Sequence, residues 1–168
     1  PQARCRAGLG RTHQIPQPFE KLTVFENLLV GAVHGRRKTE REVAQHCGEI
    51  LERLGLLKHA NTLSGSLTLL ERKRLEMARA LATAPKLLLL DEIAGGLTEG
   101  ECSELVATIR EIRQTGVAIL WIEHVVHALL AVIDRLVVLN FGRKIAEGVP
   151  KQVMQLAEVH QIYIGIEA

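Results

Sequence analysis

Apolar and polar positions alternate in two different rhythms along the chain, and the change between them falls near residue 85. Before it the period is helical. Thr23 with Glu26 three residues on forms a capping box ahead of NLLVGAVH, and Thr39 with Glu42 repeats the pattern for a helix running from about Thr39 to Leu54, stopped near Gly55. Leu75, Ala78, Leu81 and Ala82 recur at helical spacing until Pro85 ends the run. After it the apolar residues come in short blocks: KLLLLDE (86–92), VAILWIE (117–123) and RLVVLNF (135–141), each separated from the next by a helical stretch. Such alternation predicts a parallel sheet covered by helices on both faces. NFGRKIAEG predicts a hairpin turning at Gly142, followed by a C-terminal helix from about Lys151. The opening PQARCRAGLGRTHQ carries no helix or strand start signal.

At 168 residues and 47% hydrophobic content, the chain is expected to form a globular fold with a real core. A formal charge of +2, from 21 basic and 19 acidic residues, gives no field strong enough to gather nucleic acid or anionic lipid. Arg36-Arg37-Lys38 and Arg72-Lys73-Arg74 read as solvated faces. Cys5, Cys47 and Cys102 are far apart and in no ligand spacing, which suits ordinary thiols in a reducing compartment. No apolar run approaches the roughly 20 residues of a membrane helix.

Three places carry candidate chemistry. In LLLLDE a buried strand delivers Asp91 and Glu92 at its carboxyl end, where open α/β sheets bind ligands. An Asp there can hold hydrated magnesium and the adjacent Glu can polarise water. On these residues alone, a strand that merely ends in polar groups fits equally well. WIEH ends the next strand with His124, on the same side of a parallel sheet. His124 and His127 are spaced i, i+3, but EHVVH is not the HExxH zinc arrangement and His127 reads as structural. The third place is SGSLTLLERKRL, where the phosphate-binding turn is either Ser64-Gly65-Ser66 or the T-x-x-E capping box Thr68–Glu71.

Together these residues resemble the ATP-binding subunits of ABC transporters. LLLLDE resembles the Walker B strand with its catalytic glutamate, His124 the switch histidine, and RTHQ the segment ending in the Q-loop glutamine, Gln14. RLEMARALATAPKLLLLDE resembles the stretch joining signature helix to Walker B. TVFENLLVGA, AGGLTEGE and GRKIAEGVPKQV are most similar to subunits serving branched-chain amino-acid importers and their urea or amide relatives. In the family, LSGGQ is followed by two residues and then the Arg of a pattern like RLEMARAL, which here begins at Arg74. Counting back places the signature at Leu67-Thr68-Leu69-Leu70-Glu71, so that Thr68 replaces the serine and Leu69 and Leu70 the two glycines. Ser64-Gly65-Ser66 then copies familiar letters four residues early, and Ser64→Ala is expected to change little.

The resemblance implies a P-loop NTPase-type α/β fold with an inserted helical subdomain at about residues 20 to 80, an α/β core at about 81 to 148 and a C-terminal helix at about 151 to 163. It implies ATP and Mg2+ as cofactors: Asp91 and Gln14 attend the metal, Glu92 orients water and His124 holds the γ-phosphate. Thr68, Leu69, Leu70 and Glu71 would meet the ATP of a second ATP-binding subunit, with Gly95, Gly96, Leu97 and Thr98 as the D-loop. Further implied partners are membrane permease subunits and, indirectly, a periplasmic solute receptor, with the subunit peripheral to the cytoplasmic face of the membrane. The chain contains no GxxxxGK[ST], and Thr98 stands where an Asp is common. Because the family's Walker A loop lies upstream of the Q-loop, a C-terminal fragment is expected. Rival readings are a non-transport ABC ATPase acting on nucleic acid and a catalytically silent interaction fragment.

Overall fold

The structure, a computed structural model, describes residues 2–164. These divide into two compact units at Ala128/Leu129.

In the first unit β1 (Leu9–Arg11), β2 (Leu87–Asp91) and β3 (Ala118–Ile122) form a parallel sheet in the order β1-β2-β3. Leu9 stands beside Leu87, Leu87 beside Ala118 and Asp91 beside Ile122. The two apolar blocks KLLLLDE and VAILWIE are therefore neighbours, as their texture predicts. The short α1 (Gln2–Arg6) and β1 lie in the segment without start signals. β1 exists through its pairing with β2, a long-range partnership that three residues cannot announce locally.

Side chains alternate across the sheet, and the two faces differ. Leu88 and Leu90 are fully buried on one face, whereas Leu120 and Ile122 of β3 are more than half exposed on the other. The expectation of cover on both faces thus fails for β3 among the described residues. The hairpin expected at Gly142 is present, β4 (Leu136–Asn140) pairing antiparallel with β5 (Arg143–Gly148), but in a separate two-stranded sheet, so RLVVLNF does not join the parallel sheet as its texture predicts. An apolar strand of five residues has the same composition in either setting, and the tight turn at Phe141–Gly142 decides the matter, with φ of 43° and 75°. This second unit has its own small core of Val138, Ala146, Val153 and Val159, completed by α6 (Pro150–Val153) and α7 (Ala157–Ile164).

Three helices of the first unit pack on one another: α2 (Val24–Arg36), α3 (Glu40–Arg53) and α4 (Leu69–Ala82). Each begins at a threonine whose backbone N–H donates to the glutamate three residues on, Thr23 to Glu26, Thr39 to Glu42 and Thr68 to Glu71. Gly31 lets α2 approach α4 closely, since a Cβ there would lie 2.9 Å from the Arg79 carbonyl oxygen. α4 buries residues almost all round, including Leu75, Met77 and Ala78, as befits a central helix. α5 (Glu99–Gln114) packs beside it with a buried stripe at Cys102, Leu105, Val106, Ile109 and Ile112. Thr98 caps α5 through the same box with Glu101.

Candidate functional site

Parallel pairing brings the carboxyl ends of β1, β2 and β3 to one sheet edge. Beyond β2 the ladder continues for one bond, Glu92 N–H to Ile122 C=O at 2.9 Å, and Glu92 itself takes a left-handed φ of 43°. A glutamate rarely adopts that conformation, and residues held there concentrate at functional sites. Beyond β1, Thr12 is buried and its hydroxyl accepts the Asp91 N–H at 3.4 Å, which fixes the start of the segment carrying Gln14.

The side chains meet at that edge. The Gln14 amide donates to Glu92 Oε2 at 2.5 Å, and His124 Nδ1 lies 3.8 Å from the same oxygen. Arg11 pairs with Asp91 Oδ2 at 2.9 Å. Gly95 completes the corner, for a Cβ on it would sit 3.6 Å from the Glu92 carbonyl oxygen and 3.7 Å from the His124 ring. Asp91 and Glu92 keep about a third of their side-chain surface and His124 about two thirds, so water and ligand can reach all three. Among the described residues no three His, Cys, Asp or Glu side chains converge to hold a metal ion. A hydrated magnesium fits the edge differently: the Asp91 carboxyl and the Gln14 amide oxygen offer hard oxygen donors, and magnesium keeps several waters.

The segment after Gln14 is tied to α4. Buried Glu76 accepts the Gln17 N–H at 2.9 Å, Arg79 donates to the Gln17 carbonyl at 2.8 Å, and the Arg79 guanidinium stacks 4.8 Å above the Phe19 ring. The chain three residues beyond Gln14 is thereby anchored on α4.

The second constellation is the start of α4. Thr68 is extended, with φ −63° and ψ 167°, and its hydroxyl accepts the Glu71 N–H at 3.4 Å while its own N–H donates to Glu71 Oε2 at 2.9 Å. Burial raises the Glu71 pKa, but the Thr68 backbone and hydroxyl hydrogen bonds and the nearby charges of His59 and Lys58 outweigh it, so the net shift is downward. Arg72 reaches back to the Leu67 and Gly65 carbonyls at 3.0 and 2.5 Å and holds the preceding loop. The first-turn N–H groups of Leu69 and Leu70 have no intrahelical acceptor and suit an anion. Leu70 is buried, whereas Leu69 is exposed with Cδ2 against Gly96.

Ser64-Gly65-Ser66 forms a 3-10 turn, and Ser64 is wholly buried. Its hydroxyl donates to the Phe19 carbonyl at 2.9 Å and accepts from Asn27 Nδ2 at 3.2 Å, while Asn27 Oδ1 accepts the Phe19 N–H at 2.9 Å. Ser64 is therefore a clasp between the loop at Phe19 and α2, a stronger structural role than the sequence suggests. Thr98, expected in a ligand loop, is engaged as a helix cap, and Leu97 donates to the Ala94 carbonyl. Sequence reasoning missed Arg11, which belongs to the unrecognised strand β1.

A family model described as "ABC transporter" matches residues 2–95. The high-affinity branched-chain amino acid transport ATP-binding protein LivG of Escherichia coli (strain K12) is 37% identical, over 98% of this chain and 70% of that protein. The lipopolysaccharide export system ATP-binding protein LptB of Haemophilus influenzae is 33% identical, over 96% of this chain and 67% of its own length. Among solved structures, the ADP conformation of an ATP-binding cassette of an ABC transporter superposes with a TM-score of 0.86 at 33% identity, covering 98% of this chain and 71% of that one.

Proposed function

This chain belongs to the ABC transporter family, as part of an ATP-binding subunit, and from that premise we propose that it serves an importer of branched-chain amino acids. The observation that carries the hydrolytic part of this reading is the convergence of Gln14 and His124 on one oxygen of Glu92.

Bound ATP with Mg2+ supplies an electrophilic γ-phosphorus and a cation that offsets the charge developing on its oxygens. Glu92 orients the attacking water and accepts its proton as the bond from the water oxygen to the γ-phosphorus forms and the bond to the β,γ-bridging oxygen breaks, ADP leaving with that oxygen's electron pair. Gln14, by donating to Glu92 Oε2, holds that carboxylate and reports its state to α4 through Gln17, Glu76 and Arg79. His124 offers an imidazole N–H to the γ-phosphate oxygens, and Asp91 attends the magnesium shell. These residues attend the water and γ-phosphate end of the nucleotide.

In the assembled protein, two such subunits close head to tail, each presenting the Thr68–Glu71 turn and Gly95–Thr98 to the other's ATP. Closure passes through Gln14 and the three-helix cluster to membrane permease subunits, which a periplasmic receptor loads with solute. No helix among the described residues is long and apolar enough to cross a membrane. The near-balanced charge gives no support to a nucleic-acid partner.

Proteoliposomes containing the subunit, its permease and receptor test the solute. ATP-dependent uptake of leucine, isoleucine or valine that stops with Glu92→Gln is expected. Uptake of urea or short amides alone would move the assignment to that class, and coupling to lipopolysaccharide export would replace it.

A further inference from the structure

Cations gather at the end of the first unit opposite the Glu92 edge. A formal charge of +2 is an average over the whole chain and does not report how that charge is distributed. Packing draws separate stretches together at this end. A Cβ on Gly35, in the last turn of α2, would meet the Thr83 side chain at 2.9 Å where α4 stops, and a Cβ on Gly8 would meet the Lys86 side chain at 3.1 Å just ahead of β2. The ends of α1, α2 and α4 are thus neighbours at the amino ends of β1 and β2. They carry Arg4, Arg6, Arg36, Arg37, Lys38 and Lys86.

Arg36 is half-buried and the others are exposed. Elsewhere Arg11, Arg74 and Arg79 each lie 2.9–3.0 Å from a carboxylate. Among the described residues no carboxylate lies within that range of the cations at this end. Glu40 and Glu42 offset part of their charge, but Glu42 is engaged by the Thr39 N–H and hydroxyl, both at 2.8 Å. A helix C-terminus favours a cation, which accounts for Arg36. It does not account for Lys38, which lies beyond α2, or for Lys86, which precedes a strand. Arg37 is held at a left-handed φ of 54°, a place that helices usually give to glycine, and its side chain stands clear of the turn.

We propose that this basic end is a contact surface for the anionic headgroups of a lipid bilayer. A transporter subunit works beside a membrane, and each clustered lysine or arginine near an anionic leaflet strengthens binding roughly fivefold. Nucleic acid is the other polyanion of matching charge. Single strands, however, are gripped by stacking on aromatic rings as well as by cations, and no Phe, Tyr or Trp occurs before Phe19 or between Phe25 and Trp121. Lipid held at the amino ends of the strands leaves the carboxyl edge, with Gln14, Glu92 and His124, open to nucleotide. The inference rests on the chain being part of a transporter subunit and not on which solute is moved.

The test is vesicle co-sedimentation of the 168-residue chain, comparing phosphatidylcholine alone with phosphatidylcholine containing roughly one third phosphatidylglycerol. Binding is expected to the anionic vesicles only, and to fall steeply as ionic strength rises through about 0.15 M. Arg6→Gln, Arg37→Gln, Lys38→Gln and Lys86→Gln combined should weaken it roughly a hundredfold or more. A control with Lys21→Gln, Arg53→Gln, Arg143→Gln and Lys151→Gln removes the same charge from other exposed positions and should bind within a few fold of the unaltered chain. Circular dichroism checks both folds. Should the first variant not fold, Lys38→Gln with Lys86→Gln, both outside helices and strands, should still weaken binding roughly twentyfold. Equal binding to neutral vesicles would overturn the proposal, since exposed apolar residues would then explain it. Equal losses in variant and control would do the same, as would tighter binding of an RNA or DNA oligomer than of anionic vesicles at the same salt. Failure of amino-acid uptake would touch the solute assignment and leave vesicle binding where it is.

Discussion

Ser64 and Thr68 stand four residues apart and do different work, which single substitutions separate. Ser64→Ala removes a buried hydroxyl that both donates to Phe19 and accepts from Asn27, and should lower stability by about 1–3 kcal/mol. In the assembled subunit its nucleotide-driven dimerisation should persist. Thr68→Ala removes a helix cap, costs about 0.5–2 kcal/mol, and should weaken that dimerisation if, as proposed, the capped turn meets the partner's phosphate. Thermal melts alongside dimerisation assays rank the two. A Ser64→Ala protein of unchanged melting temperature that no longer dimerises would return the phosphate turn to Ser64–Ser66. Thr68 was legible from its register and its T-x-x-E box, both local features. Ser64 was not, because its partners Phe19 and Asn27 lie 45 and 37 residues away.

Helix starts are the best-read elements for the same reason: a capping box needs only four residues. Glu26, Glu42, Glu71 and Glu101 all have pKa values held below the ordinary 4.5. For the exposed Glu26, Glu42 and Glu101 the leading cause is the threonine N–H that each accepts. A lowered carboxylate pKa contributes stability that is fully present above the unfolded value and is lost as pH falls through the native ones. Helicity followed by circular dichroism should therefore decline as pH drops below about 4.5. Replacing the four glutamates by glutamine should flatten that decline, whereas an unchanged acid limb would mean that the boxes contribute nothing there. Two glycines on neighbouring helices give opposite expectations. Gly31→Ala drives a methyl to 2.9 Å from the Arg79 carbonyl oxygen and should cost about 1–3 kcal/mol. Gly48→Ala, in α3 with nothing within 4 Å, should stabilise by roughly 0.5–1 kcal/mol. Chemical denaturation resolves both signs. Strands were read less evenly: LGR looks like nothing alone and takes its identity from β2, and LVVLN by itself fits a parallel or an antiparallel sheet equally, so that only the turn at Gly142 announced its hairpin.

For the whole molecule, family and site edge were visible in the sequence because Walker B, the switch histidine and the signature helix are contiguous words, and parallel strands bring word endings together. The Gln14–Glu92–His124 meeting followed from that topology. The 168-residue chain should by itself hydrolyse ATP negligibly, because the loop that wraps most of the phosphates is not among its residues. Brisk magnesium-dependent turnover by the purified chain, indifferent to Glu92→Gln, would show that the phosphates are held another way. The central claim is that the edge formed by Gln14, Asp91, Glu92 and His124 performs the hydrolysis, and single-turnover ATP hydrolysis by the assembled transporter tests it most directly. Glu92→Gln should slow the chemical step by about 10²–10⁴-fold, with ATP affinity within a few fold of wild type. Unchanged single-turnover rates, or a loss found entirely in ATP binding, would contradict the assignment.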